Sequence, residues 1–229
     1  MNHFLAIQHT PHGIELGLFE KSTIVQVATD EKKRASQNIV LLAQQLLQKN
    51  GLSFKDVAFF AANQGPGPFT TLRVVISTIN GFGFATQKQL IGIDGIDALL
   101  QEHKDTNFSV TVALLNAYSG DLYFGIENSA EKKIKKGYEN NAAFFAQLNT
   151  EFSGQTIRFI GQGATMYAQE IKTIFKERAI IVENAQACSI KQIGTMAWKK
   201  WEQKEGLTKQ LFPLYLKSMR LKQKKPSHF

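Results

Sequence analysis

The residues best placed to do chemistry in this chain run Ala61-Ala62-Asn63-Gln64-Gly65-Pro66-Gly67-Pro68-Phe69-Thr70-Thr71-Leu72-Arg73. An apolar run, Val57 to Ala62, meets an apolar-periodic segment at Phe69 through a Gly-Pro-Gly-Pro turn. Gly-rich turns between a strand and a helix often hold phosphate, because free N–H groups and the helix dipole favour anions. Here the fingerprints of that use are missing. No lysine lies between Lys55 and Lys88, so there is no phosphate-loop lysine, and there is no Gly-x-Gly-x-x-Gly. Pro66 and Pro68 also remove two N–H donors, so a structural turn is the simpler reading.

The remaining reactive residue types are sparse. Of five histidines, His9 and His12 flank Pro11 in a turn, and with no Cys, Asp or Glu before Glu15 they make a thin ligand set for zinc. No metal site is expected. The single cysteine, Cys188, has no nearby histidine and reads as a buried thiol. Ser119 lacks a Gly-x-Ser-x-Gly elbow. No catalytic residue is nominated.

The elements that position these residues fall into two similar halves. Phe4 to Gln8, Ile14 to Phe19 and Thr23 to Ala28 read as a meander of three strands. Helix Ser36 to Asn50 follows, ending at Gly51, a natural glycine stop. Strand Val57 to Ala62, helix Phe69 to Thr86, strand Leu90 to Ile93 and helix Gly95 to His103 complete the half, in the order of an RNase-H-like unit. The second half repeats this with strands Val110 to Leu115, Leu122 to Ile126 and Lys132 to Lys136, then helix Asn141 to Leu148. Strand Ile157 to Gly161 and helices Ala164 to Lys176 and Ile190 to Gln203 end it. The expected domains are therefore 1–105, 106–216 and a basic tail, 217–229. Whether the C-terminal segment packs back on the first half is open at this level.

Gly-Pro-Gly-Pro-Phe-Thr-Thr-Leu-Arg, after a strand and before an apolar helix, resembles the Gly-Pro-Gly-Ser-Phe-Thr-Gly-Leu-Arg signature of the TsaB (YeaZ) family, with Pro68 and Thr71 departing from it. Leu5-Ala6-Ile7-Gln8-His9-Thr10, Leu90-Ile91-Gly92-Ile93, Asn116-Ala117-Tyr118-Ser119-Gly120-Asp121-Leu122-Tyr123, Gly161-Gln162-Gly163-Ala164 and Pro213-Leu214-Tyr215-Leu216 resemble further landmarks in order. The resemblance implies an α/β fold of actin-like ATPase architecture, two tandem RNase-H-like halves with a degenerate nucleotide site. It also implies a non-catalytic subunit in making threonylcarbamoyladenosine at position 37 of tRNA. The partners so implied are a TsaD-like catalytic subunit, a TsaE-like ATPase and, within the complex, tRNA; alone, the chain would pair with itself.

That architecture sets a test for nucleotide hydrolysis, which needs an aspartate at each phosphate hairpin. Gln8 and Asn116 stand at those positions, and an amide has neither the charge nor the basicity for metal or general-base work. Autonomous ATP hydrolysis is not expected, and the chain has no cofactor of its own; ATP or ADP would be held at a subunit interface. The turn Gly161-Gln162-Gly163-Ala164 resembles the one that approaches adenosine in actin-like ATPases, so Gly161 and Gly163 are the only positions considered for nucleotide contact. Their alternative role is close packing. The His-x-x-x-His pair by which TsaD holds metal has no counterpart in Ser36-Gln37-Asn38-Ile39-Val40-Leu41.

The two helices beside the signature carry the partner expectation. Ile39, Leu42, Ala43, Leu46 and Leu47 form one stripe, leaving Leu41 among Gln37, Gln44 and Gln45. In the second helix only Thr70, Arg73, Ser77 and Asn80 form a polar sector, so it is either sandwiched in its own fold or turned to another subunit. The family resemblance favours the interface, with Leu41, Arg73, Val74, Ile76, Ser77 and Asn80 as its residues. Rival functions are a kinase or ATPase of the same fold, a metallopeptidase, and a self-contained homodimer.

Composition bounds the setting. At 229 residues with 43% hydrophobic and 20% charged residues, the chain can bury a sizeable core. One cysteine, no apolar run near ~20 residues and no signal-like N-terminus lead to the expectation of a soluble cytoplasmic protein, off the membrane. From Trp198 to Phe229 nine basic residues face only Glu202 and Glu205, so +7 of the chain's +8 lies there. Such a tail attracts polyanions or simply stays solvated.

Overall fold

A computed structural model describes residues 2–10, 13–30, 35–131 and 133–216, and for 35–37 the backbone alone. The basic tail 217–229 and His12 lie outside the described residues. The chain forms two mixed sheets. The first contains β1 (His3–Thr10), β2 (Gly13–Glu20), β3 (Thr23–Asp30), β4 (Phe59–Asn63), β5 (Gln89–Ile93) and β11 (Leu207–Thr208), in the order β11-β5-β4-β1-β2-β3. The second contains β6 (Val110–Asn116), β7 (Asp121–Asn128), β8 (Lys135–Asn140), β9 (Ile157–Ile160) and β10 (Ala179–Ile181), in the order β10-β9-β6-β7-β8.

In each sheet the first three strands are an antiparallel meander, and the next two run parallel to the first. The same order twice is a duplicated unit. Helices α1 (Ala35–Lys49) and α2 (Phe69–Thr86) cover one face of the first sheet. On the other face lies α7 (Ile190–Gln203). Covered on both sides, β1 and β4 can be almost wholly apolar, whereas the edge strand β3 alternates between half-buried and exposed residues. Beside the second sheet lie α4 (Asn141–Glu151), α5 (Gln162–Met166) and α6 (Ala168–Phe175).

Helix α3 (Gly95–Glu102) joins the halves: it packs on β6 and β7 of the second sheet as well as on α7. A side chain at Gly125 would overlap Ile96, so that glycine lets α3 lie against β7. Polar contacts reinforce the junction. Lys136 on β8 reaches Asp94 at 2.6 Å and Asp97 at 2.9 Å, while Asp94 also caps α3 by accepting from the Ile96 and Asp97 amides. Burial disfavours the Lys136 charge, but hydrogen bonds and attraction from both aspartates outweigh it, so its pKa is raised. The contribution of this pair is full below the ordinary lysine value and is lost only as pH rises through the raised one, so it persists at neutral pH. Buried Arg158 adds a bond to the His103 carbonyl at 2.6 Å.

Several elements depart from the sequence expectation. Residues 190–216, grouped by the sequence with the second half, lie on the first sheet: α7 packs across it and β11 pairs with β5. The reason is a fit of small against large, because Phe19 sits between Gly17 and Gly194, and side chains at either would overlap its ring. Strand β8 begins at Lys135 rather than Lys132, since its register comes from β7, where Gly137 opposes Phe124. The expected helix Ala164 to Lys176 is two, broken at Tyr167.

Candidate functional site

Between the two sheets lies a cleft of about 300 Å³ walled by the signature turn, the β1 end, α3 and the loop before α7. Among the described residues no Asp, Glu, Lys or Arg lines it. Gln8, 1% exposed, donates to Glu15 at 2.8 Å and to the Cys188 carbonyl at 3.2 Å, tying β1, β2 and the start of α7 together. Asn116 accepts from the Tyr118 amide at 2.8 Å and so stabilises a β6–β7 turn in which Tyr118, Ser119 and Gly120 all have positive φ. Both amides are thus built into the fold. Burial, chiefly, pushes the Cys188 thiol up to about 12, and burial lowers His9 below its ordinary value, so both are uncharged at neutral pH. Among the described residues no group of three His, Cys, Asp or Glu is arranged to hold a metal.

Gly161 and Gly163 are both closely packed. A Cβ at Gly161 would overlap the Leu114 carbonyl, and one at Gly163 would come within 2.9 Å of the Leu114 side chain, so both glycines let α5 rest on β6. The Gly161 and Gln162 amides donate to the Ala185 and Gln186 carbonyls at 2.6 and 2.8 Å. Those donors are spent within the fold. Close packing, one of the two roles considered for this turn, is present at both glycines.

The signature turn has a partner that the sequence did not reveal. Gly65 has a φ of 106°, and its carbonyl accepts from the Gly95 amide at 2.8 Å. Gln64 then holds the C-terminal segment twice, donating its side chain to the Phe212 carbonyl and accepting from the Leu214 amide, each at 2.8 Å. The Gln64 amide lies where a side chain at Gly92 would be, which explains that glycine. Farther along α2, Asn80 bonds the Leu211 backbone in both directions, at 2.8 and 3.0 Å. Arg73 donates to the Tyr215 hydroxyl at 3.0 Å and covers the Phe69 ring, which stacks on Tyr215. Residues 209–216 therefore form a strap antiparallel to α2.

This arrangement sorts the six expected interface residues. Leu41, 53% exposed on α1, is outward, and Ser77 is exposed. Val74 is half-buried. Arg73 and Asn80 are occupied by the strap. Ile76, 4% exposed, belongs to the core with Leu72, Val75 and Ile79, which corrects its placement on a partner face. Periodicity marked its side of the helix as apolar without saying what covered it. The structure adds Val40, Phe84, Phe212 and Tyr215 as exposed large apolar residues on α1, α2 and the strap.

The fold is that of an actin-like α/β protein, and among the described residues its cleft is lined by no Asp, Glu, Lys or Arg. The family model for TsaD, tRNA N6-adenosine threonylcarbamoyltransferase, matches residues 26–224, and the chain belongs to that family. Among curated relatives it is similar to the tRNA threonylcarbamoyladenosine biosynthesis protein TsaB of Escherichia coli K12, 25% identical over 145 residues. That match spans 63% of this chain and 63% of the relative's length, so it leaves over a third of each unaligned. YeaZ from Pseudomonas aeruginosa has the same fold, with a TM-score of 0.73 at 18% identity over 94% of this chain and all of the other. The resemblance to TsaB and YeaZ read from the motifs is borne out. A more distant likeness of fold, TM-score 0.50 at 7% identity over 88% of this chain and 96% of the other, is to the activator of 2-hydroxyisocaproyl-CoA dehydratase from Clostridium difficile. Among the described residues no helix is long and apolar enough to cross a membrane.

Proposed function

We propose that the chain is a non-catalytic subunit of the tRNA threonylcarbamoyladenosine machinery, supporting a TsaD-like catalytic subunit in the cytoplasm. The observation that carries this reading is the cleft, where the amides of Gln8 and Asn116 are built into the fold and, among the described residues, no carboxylate or cation lines the wall. Without carboxylates or cations among its described residues, the wall offers neither an oxygen-ligand magnesium site nor a phosphate clamp, and His9 is its one side chain of general-base type. What remains for the chain to contribute is surface. Leu41, Val40 and Phe84 expose apolar area that association would remove from water. A TsaE-like ATPase would supply nucleotide turnover, with ATP or ADP held between subunits, and the Lys-rich residues 217–229 would bring positive charge to tRNA phosphates. The second reading, a homodimer through the same helices, rests on the same exposed residues.

The purified chain is expected to release phosphate from ATP no faster than buffer does, with or without magnesium. Turnover at or above about 1 s⁻¹, the lower end of ordinary enzymes, overturns the non-catalytic reading.

A further inference from the structure

We propose that the outer edge of β3 is a self-pairing surface, at which two copies of this chain join their first sheets through antiparallel β3 strands. The inference goes beyond the partner reading, which rests on α1 and α2.

Strand β3 closes one side of the first sheet, and among the described residues no strand pairs with its outer edge. A free edge presents a row of unpaired N–H and C=O groups, which proteins ordinarily guard with charge, proline or a short strand. The duplicated fold supplies an internal comparison. Strand β8, the corresponding edge of the second sheet, carries Lys135, Lys136 and Glu139 within six residues. By contrast β3 is eight residues long and has neither charge nor proline before Asp30. Its odd-numbered residues Thr23, Val25, Val27 and Thr29 are exposed, the two valines at 45% and 43%. The even-numbered residues face the α1 side, where Gln26 accepts from Asn50 at 2.9 Å and Asp30 from Asn38 at 3.1 Å.

The sequence of the strand selects a second copy as the occupant. Thr23-Ile24-Val25-Gln26-Val27-Ala28-Thr29 reads nearly the same in either direction about Gln26. Antiparallel pairing about a two-fold axis at Gln26 sets Val25 opposite Val27, Thr23 opposite Thr29 and Ile24 opposite Ala28 of the copy. Each pair matches in polarity, and β-branched pairs of this kind across two strands stabilise a sheet. Strand pairing alone is narrow beside the roughly 800 Å² per partner of a stable interface. The same axis adds a helix contact. Because α1 lies over β2 and β3, the two α1 axes would stand two strand spacings apart, roughly 9.6 Å. Helices pack at about 8–10 Å. Helix α2, over β1, β4 and β5, stays clear of the contact.

Sedimentation of the full chain across a concentration series tests this, with hydrogen exchange measured at both ends of the series. A monomer–dimer equilibrium is expected, in which dilution speeds exchange of β3 amides and leaves β8 amides unchanged. Val25→Lys with Val27→Lys sets like charges opposite each other and should weaken dimerisation at least tenfold, with an unchanged circular dichroism spectrum. Val25→Lys with Val27→Glu sets unlike charges there and should restore it. Phe84→Asp, at an exposed position on α2, should have no effect. The exchange result needs no substitution, so it decides the matter if a variant misfolds. A chain that stays monomeric at its highest soluble concentration, or β3 exchange indifferent to dilution, overturns the proposal. So does a dimer unmoved by the like-charge variant, not restored by the unlike-charge one, or lost with Phe84→Asp. Pairing with a catalytic subunit is read separately, through Leu41→Asp.

Discussion

Ile76→Asp is expected to abolish the folded state, whereas Leu41→Asp should fold normally and fail to associate. The two residues were equivalent as interface candidates in the sequence, yet Ile76 is 4% exposed and Leu41 53%. At Ile76 the substitution forfeits about 2 kcal/mol of apolar burial and leaves an unpaired carboxylate in the core, costing several kcal/mol more. That total approaches the ~5–15 kcal/mol by which a domain is stable. At Leu41 a surface change should move stability by no more than about 0.5 kcal/mol. The same carboxylate buried in an apolar interface would cost several kcal/mol, and roughly 3 kcal/mol already weakens association about 100-fold. Thermal melts by circular dichroism and size-exclusion chromatography with the partner read both outcomes. A folded Ile76→Asp, or a Leu41→Asp chain that pairs like the parent, contradicts this placement of core and face.

Gly194→Val should lower the melting temperature by roughly 5–15 °C, from about 2–4 kcal/mol of overpacking in a chain of this size. Phe19 fills the space on either side of which Gly17 and Gly194 stand, and it is fully buried. A valine at 194 must push α7 off the first sheet or force Phe19 from its position. Gly81→Ala on α2 is the control, because its added carbon meets nothing within 4 Å. Better helix propensity should there stabilise by up to about 1 kcal/mol. Equal melting of Gly194→Val and the parent would mean that α7 does not depend on this contact.

How far the sequence disclosed this molecule depended on how locally each feature is encoded. Helix α2, Phe69–Thr86, was read with its observed bounds, because its apolar period and the proline turn before it are local signals. The meander of β1 to β3 was legible for the same reason. Strands β10 and β11, of three and two residues, are too short to show a period and exist through pairing alone. The attachment of α7 to the first sheet depends on Gly17 and Gly194 closing on Phe19, residues far apart in sequence. Chemistry followed the same rule. The missing carboxylates at Gln8 and Asn116 were visible as residue types, while the structural work of those amides was not. Arg73 and Asn80 read as a polar face open to a partner. The strap from residues 209–216 lies on them instead, a contact some 130–140 positions distant for which periodicity has no signal.

The central claim is that this chain supports catalysis without performing it. The most direct measurement is threonylcarbamoylation of tRNA in a reconstituted mixture containing a TsaD-like catalytic subunit, a TsaE-like ATPase, ATP and the activated threonylcarbamoyl donor. Modified tRNA is expected when this chain is present with the catalytic subunit, little or none when either is omitted, and strongly reduced yield with Leu41→Asp. Modification by this chain without the catalytic subunit, or full modification by the catalytic subunit without this chain, contradicts the account.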